Sequence, residues 1–199
     1  MSPATHLLAS WAMADRSKLE GRDAALVAWA GLAPDLDGLG AVVDVAARMM
    51  HLGDPGLYAR FHHSLLHGIF GAVLISTIVA LASKRRLRAG LWSLLIIHFH
   101  LLCDLAGSRG LTIDDVWPVP YLAPFSDALT LAWRGQWPLN AWPNVLFTAL
   151  LMLYVIYRSA TAGRSPVSML SPRWNLKFAE TVQARWRGRL RNNENDKDK

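Results

Sequence analysis

The sequence predicts an all-α, membrane-embedded helical bundle with about three to five core helices, followed by a basic amphipathic C-terminal helix. No strand pattern competes with the helical periodicity, and the 199-residue chain is 52% hydrophobic. One stretch, Ser64 to Ser83, runs twenty residues without a formal charge if His67 is neutral, about the length that crosses a bilayer. We expect one core domain, residues 1–165, and a tail, residues 166–199.

Six helices are predicted from apolar periodicity, at residues 5–15, 23–33, 62–83, 89–106, 142–158 and, as a further element, 175–190. Pro34 ends the second helix, and Gly53–Asp54–Pro55–Gly56 breaks the chain before the third. Ala89–Cys103 and Pro143–Tyr157 are each about fifteen residues, so they could be short spans or buried core helices. Residues 107–143 are rich in Pro, Trp and Tyr, which predicts a loop at the lipid–water interface.

The N-terminus and the cysteine content exclude two alternatives. The brief apolar run to Ala14 has neither a basic leader nor a small-residue cleavage site, so no removable signal peptide is predicted and His6 stays in the protein. The single cysteine, Cys103, excludes an internal disulfide and a cysteine-rich metal site.

The positive charge is concentrated at the C-terminal end. Of the net +6, residues 171–199 carry +4, from eight Lys/Arg against four acidic residues. The tail also places apolar side chains at steps of four along a basic helix: Phe178, Val182, Trp186 and Leu190. This pattern favours an anionic membrane surface over nucleic acid, and the last eight residues, 192–199, are predicted to be disordered.

Basic residues also orient the bundle. The run from Lys84 to Arg88 joins the third and fourth helices, the second helix begins near Arg22, and the fifth ends at Arg158. Acid and imidazole groups lie at the opposite helix ends. The positive-inside rule then predicts a multi-pass protein with a cytoplasmic basic loop and tail, and a site near the other face.

Those acid and imidazole groups are the candidate metal ligands, because burying them without partners is costly. Residues four apart share a helix face, which pairs two histidines on the third helix and a histidine with an aspartate on the fourth. Zn²⁺ accepts such ligands, as does Mn²⁺, and their number is enough for one or two ions. The predicted ligands are His6, Asp35, Asp37, His63, His67, His100 and Asp104.

Structural roles remain open for each of these groups. His6 could cap a helix or lie at the surface, and Asp35 and Asp37 could be ordinary helix-end carboxylates. The remaining histidines and Asp104 could hydrogen-bond one helix to another. His62 and His98 point elsewhere on their helices, so we expect them to contact the ligands or the substrate.

Several motifs together resemble the bacterial inner-membrane-associated metal-dependent hydrolases. They occur in that family's order over residues 4–126: Thr5-His6, the run Leu-Ala-Pro-Asp35-Leu-Asp37, His63-Ser64-Leu65, His100-Leu-Leu-Cys-Asp104, Gly110 and Trp117-Pro118. The family is distantly similar in fold to zinc-dependent phospholipase C and related nucleases. This chain departs from the pattern at Tyr58, where the family usually has a histidine, and His67, one turn beyond His63, is expected to replace it. Tyr58 and Arg60 are predicted to contact the ligands or the substrate.

The resemblance implies a hydrolase of the bacterial inner membrane. Asp37 is then expected to accept a proton, and a phosphate ester or other ester of a membrane-associated small molecule or lipid is the expected substrate. The alternative is a non-catalytic membrane protein that has a structural metal site or a transport role.

Overall fold

The computed structural model describes the backbone of residues 1–62, 64–110 and 112–197, and the side chains of these residues as far as residue 188. Eight α-helices lie within these ranges: α1 Pro3–Arg16, α2 Gly21–Ala30, α3 Gly40–Met49, α4 Leu57–Phe61, α5 Ile69–Ala82, α6 Arg86–Gly107, α7 Trp142–Ala162 and α8 Pro172–Lys197. Short 3-10 helices occupy Ala33–Leu39 and Pro166–Met169, and the strands β1 Val119–Pro120 and β2 Thr130–Leu131 pair antiparallel. The predicted all-α class is confirmed.

The core is formed mainly by α1, α2, α5 and α6. Ile96 and Ile97 of α6 are fully buried against small residues such as Ala28 of α2 and Ala72 of α5. Small side chains let helix backbones approach closely, which is the usual way in which membrane helices gain packing contacts. The helices α5 and α6 are therefore held together over most of their length.

The strongest predicted span is shorter than expected. The helix predicted at 62–83 begins only at Ile69 and has 14 residues, about 21 Å at 1.5 Å per residue, against a hydrocarbon core of about 30 Å. Gly68 is extended and lies against the backbone of Tyr121, whose carbonyl accepts the Ile69 N–H at 2.8 Å. This contact delays the helix, so the prediction that His67 lies on it is wrong.

Two other helices have the length and composition of spans. They are α6, with 22 residues, and α7, with 21; α2 together with the 3-10 helix and α3 forms a third candidate, bent by 50°. Both long helices extend beyond the fifteen-residue stretches that the sequence indicates.

The structure adds α3 and α4 where the sequence analysis predicts no helix. In the tail, α8 continues through residues 192–197, where disorder is predicted, and residues 198 and 199 lie outside the described part of the chain. The segment 107–143, which is predicted to be an interfacial loop, contains the short β1–β2 ribbon, which the sequence did not indicate.

Several basic residues are held at one end of the bundle. Asp23, at the start of α2, accepts the N–H groups of Lys84 and Arg85 at 3.1 and 2.9 Å, which fixes the α5–α6 loop beside α2. Asp15, near the end of α1, binds Arg158 of α7 at 2.7 Å. The candidate ligands lie at the opposite end, as the sequence predicts.

Candidate metal centre

Six of the seven predicted ligands meet at the non-basic end of the bundle. They come from the first turns of α1, the 3-10 helix after α2, the irregular segment before α5 and the last turns of α6: His6, Asp35, Asp37, His67, His100 and Asp104. The seventh, His63, lies outside the described residues. All six of these side chains are buried except Asp35, which is partly exposed.

His6 reaches the cluster because of the way α1 starts. The Ser2 hydroxyl accepts the N–H of Thr5 at 3.2 Å, and Pro3 occupies the first helical turn, where a missing N–H costs nothing. The ring of His6 stacks on that of His100 with 3.8 Å between centroids. Its Nε2 lies 3.0 Å from Oδ1 of Asp104.

Asp104 is the most connected carboxylate of the cluster. Nε2 of His100, one turn earlier on α6, lies 3.0 Å from its Oδ2, and Nε2 of His67 lies 3.6 Å away. Oδ1 accepts hydrogen bonds from the Ser108 hydroxyl at 2.7 Å and from the Met1 ammonium group. Within the described residues no donor is aligned with Oδ2 for a hydrogen bond.

Hydrogen bonds at the far side of each ring fix the tautomers of His67 and His100. Nδ1 of His100 lies 2.8 Å from the carbonyl of Gly31, which can only accept, so Nδ1 carries the proton. Nδ1 of His67 likewise lies 2.8 Å from a carboxylate oxygen of Asp37. In the neutral rings both Nε2 atoms therefore present lone pairs, and these atoms are 3.3 Å apart.

Gly31 brings the α2 terminus close enough for this bond. A Cβ at Gly31 would stand 1.8 Å from Oγ of Ser10 and 2.5 Å from a methyl carbon of Ile96. A side chain there would push α2 away from α1 and α6. Gly31, Ser108 and Met1 are contributors that the sequence analysis missed. Ser108 is detectable, because it follows Asp104 by four residues and caps the end of the same helix.

Asp37 and Asp35 occupy different environments. Oδ1 of Asp37 lies 3.1 Å from Nδ1 of His62, and Oδ2 binds His67 and the N–H of Leu66. Its carboxylate is fully enclosed, whereas the Asp35 side chain is 19% exposed and its Oδ1 lies 3.8 Å from Nε2 of His100. No donor among the described residues is aligned with Oδ2 of Asp35.

Two groups of donor atoms are close enough to share an ion. In each group the donor atoms lie within 4.8 Å of one another: His6, His100 and Asp104 in one, and Asp35, His67 and His100 in the other. Since His100 belongs to both groups, the two groups form a single cluster of donor atoms.

The residues predicted to contact ligands or substrate lie in different places. His62 binds Asp37, and Tyr58 stacks on the His62 ring at 4.4 Å between centroids. Burial raises the pKa of the Tyr58 hydroxyl above its ordinary value, and the charges of Asp37 and Asp35 raise it further. His98 is bound to the Leu94 carbonyl and the Tyr121 hydroxyl, and Arg60 is exposed over the Phe61 ring.

A cleft of about 410 Å³ opens beside the cluster. His62 forms part of its wall and lies edge-on to Trp117, with 5.2 Å between ring centroids. Across the cleft from α4 stands the segment 115–120. Since His62 also binds Asp37, the cleft is separated from the buried donors by one side chain.

Comparison with known proteins identifies a family for nearly the whole chain. The family model described as YdjM inner membrane protein matches residues 1–182. No curated protein and no solved structure matches the chain. The match supports the bacterial inner-membrane part of the resemblance found in the sequence.

Proposed function

The chain belongs to the YdjM inner membrane protein family, and from that premise we propose that its buried cluster binds a divalent metal ion and hydrolyses esters. The ion is Zn²⁺, with Mn²⁺ as the second choice. The substrate is a phosphate ester or other ester associated with the membrane.

One observation carries the proposal: the cluster consists of acceptors that face one another. With their Nδ1 protons committed to Gly31 and Asp37, His100 and His67 direct lone pairs at each other across 3.3 Å, beside the Asp104 carboxylate. With both rings neutral this arrangement is repulsive, and a cation among the acceptors removes the repulsion. That cation is either a metal ion or a second proton on His67: burial lowers the pKa of His67, but the contacts with the carboxylates of Asp104 and Asp37 outweigh burial and raise it to about 9.

The donor set fits zinc. Two nitrogen ligands at about 2.0–2.1 Å from a tetrahedral ion lie about 3.3 Å from each other, and the Nε2 atoms of His67 and His100 are 3.3 Å apart. Imidazole and carboxylate are the ligand types that zinc accepts, and binding requires both rings in the neutral form, so metal uptake would displace any second proton from His67. Both donor groups use His100, whose Nδ1 is bound to the Gly31 carbonyl. The described side chains therefore support one ion, held by His67, His100 and Asp104 with His6 or Asp35.

The remaining residues have roles suited to hydrolysis. A bound divalent cation supplies Lewis acidity that polarises an ester oxygen and acidifies water. The hydrogen bonds of Asp37 favour an orienting role, since it holds the His67 ring, as carboxylates commonly do behind metal-bound histidines. Asp35 is partly exposed and has an oxygen without an aligned donor, so its carboxylate is better suited than that of Asp37 to accept a proton.

Charge placement supports a topology for this site. Lys84, Arg85 and Arg158 are held at the end of the bundle opposite to the cluster. By the positive-inside rule we place that end and the basic tail in the cytoplasm, with the cluster near the outer face of the inner membrane.

Metal analysis of the purified protein tests the proposal. We expect about one zinc or manganese ion per chain, lost on prolonged chelation, and metal-dependent turnover in a panel of phosphodiesters and carboxylic esters. Absence of metal after refilling would refute the site. A bound metal without turnover on any ester would refute hydrolysis and favour the structural or transport role.

A further inference from the structure

We propose that the substrate is an amphiphile that reaches the cleft sideways from the bilayer, with its head group between α4 and residues 115–120 and its chain along α3. This inference rests on the proposed function for its substrate class. Its structural part, the position of α3 in the lipid, stands independently.

The helix α3 exposes apolar side chains and buries its acid. Val42, Val45 and Met49 are 65%, 51% and 77% exposed. Asp44 is the only side chain of α3 that is buried. A helix surrounded by water would have the opposite pattern, so this arrangement is typical of a helix whose outer surface faces lipid.

The same acid connects α3 to the wall of the cleft. The carboxylate of Asp44 accepts the N–H groups of Leu57 and Tyr58 at 2.9 and 2.8 Å, at the start of α4. Gly40 allows close approach at this point, because a Cβ there would stand 2.7 Å from the backbone of Leu57. The cleft wall formed by Tyr58 and His62 is therefore fixed to the apolar helix.

The cleft has two kinds of surface. His62, Ser64 and Asp115 contribute polar groups, of which His62 contacts Asp37 of the buried cluster. The aromatic side chains of Tyr58 and Trp117 line the remainder with neighbouring prolines. A polar head group fits beside the polar residues of the cleft. An apolar chain can extend from the cleft past the aromatic residues toward α3.

The bilayer is the occupant that best suits this surface. The chain belongs to an inner-membrane family, and α2 together with the 3-10 helix and α3 is apolar enough to form a broken span or a re-entrant segment. On this assignment lipid lies beside α3. A second copy of the chain or a soluble partner would instead leave α3 shielded from lipid, which the first experiment detects.

Spin labels locate α3. With Cys103→Ser as background, we would label Val45→Cys and, as a control on the following loop, Asp54→Cys, whose native side chain is 52% exposed. In phosphatidylethanolamine–phosphatidylglycerol vesicles, power saturation should show position 45 more accessible to oxygen than to a water-soluble nickel chelate. Position 54 should show the reverse. Two results overturn the lipid-facing assignment. One is equal access of the nickel chelate to both positions, and the other is low access of both oxygen and the chelate to position 45.

Photolabelling tests the cleft without relying on turnover. A phospholipid with a diazirine beside its head group, mixed into the same vesicles, should label peptides containing residues 58–64 and 115–120. Ala59→Trp, which fills the cleft, should abolish this labelling. Ala46→Trp, on the exposed surface of α3, should retain it. Absence of cleft labelling in the unmodified protein, or equal labelling in both variants, refutes the lateral route even if the cluster binds metal.

Discussion

Replacing Asp104 by asparagine is expected to remove metal-dependent stability while preserving the fold. The amide has the shape of the carboxylate but lacks the negative charge that lies 3.0 Å from His6 and His100 and 3.6 Å from His67. Ser108 can still donate to the amide oxygen, so the helix end at α6 keeps that bond.

The size of the effect follows from the lost charge. A charge-assisted contact is worth about 1.5–3 kcal/mol, so at the upper end metal affinity falls by about 100-fold. At a free metal concentration about 100 times the Kd, binding stabilises the native protein by about 2.7 kcal/mol, whereas the variant at that concentration gains only about 0.4 kcal/mol. For a chain of this size the difference corresponds to a change in Tm of about 5–9 °C.

The assay is paired. Bound metal per chain and Tm are measured for the unmodified protein and for Asp104→Asn, with and without chelator. Asp23→Asn is the matched control, because Asp23 is also a buried aspartate but binds the α5–α6 loop at the basic end. It should lower Tm with and without metal and keep the full metal-induced increase. Equal metal content in Asp104→Asn and the unmodified protein would refute the ligand role.

Four further outcomes are expected. Asp37→Asn weakens the bond that orients His67, so metal affinity in a competitive chelator titration should fall by about 10–100-fold; unchanged affinity would argue against an orienting role. Gly31→Ala overpacks the α1–α2–α6 contact and should lower the free energy of unfolding by about 1–3 kcal/mol in denaturant titrations, and an unaffected midpoint would contradict the close approach. For Asp15, burial acts to raise the carboxyl pKa, but hydrogen bonds led by Arg158 outweigh burial and leave the pKa below its ordinary value. Its contribution to stability is therefore present above about pH 4 and lost as pH falls through the folded pKa, so the Tm deficit of Asp15→Asn should shrink in acid; a constant deficit would exclude this linkage. Finally, the protein should stay in the membrane fraction after washing with concentrated salt, which screens the tail but not apolar burial, and release by salt alone would show a peripheral attachment.

The sequence by itself was sufficient for the helical class and for the end of the bundle at which the candidate ligands lie. Both depend on local patterns: apolar periodicity, and basic residues at the opposite helix ends from the acids and imidazoles. His100 and Asp104 could be paired in the same way, because a spacing of four on a helix fixes their relation before any tertiary contact forms.

The tertiary structure decided where helices begin and what each ligand atom faces. Packing of Gly68 against Tyr121 delays α5 and removes His67 from its helix, a long-range contact that no local pattern indicates. The distinct environments of Asp35 and Asp37, two residues apart, likewise depend on His62 and His67 from a segment about thirty residues away. The lone pairs that make the cluster a metal-site candidate exist only because the Gly31 carbonyl and Asp37 hold the far nitrogens of two rings, and hydrogen bonds across the fold set that orientation.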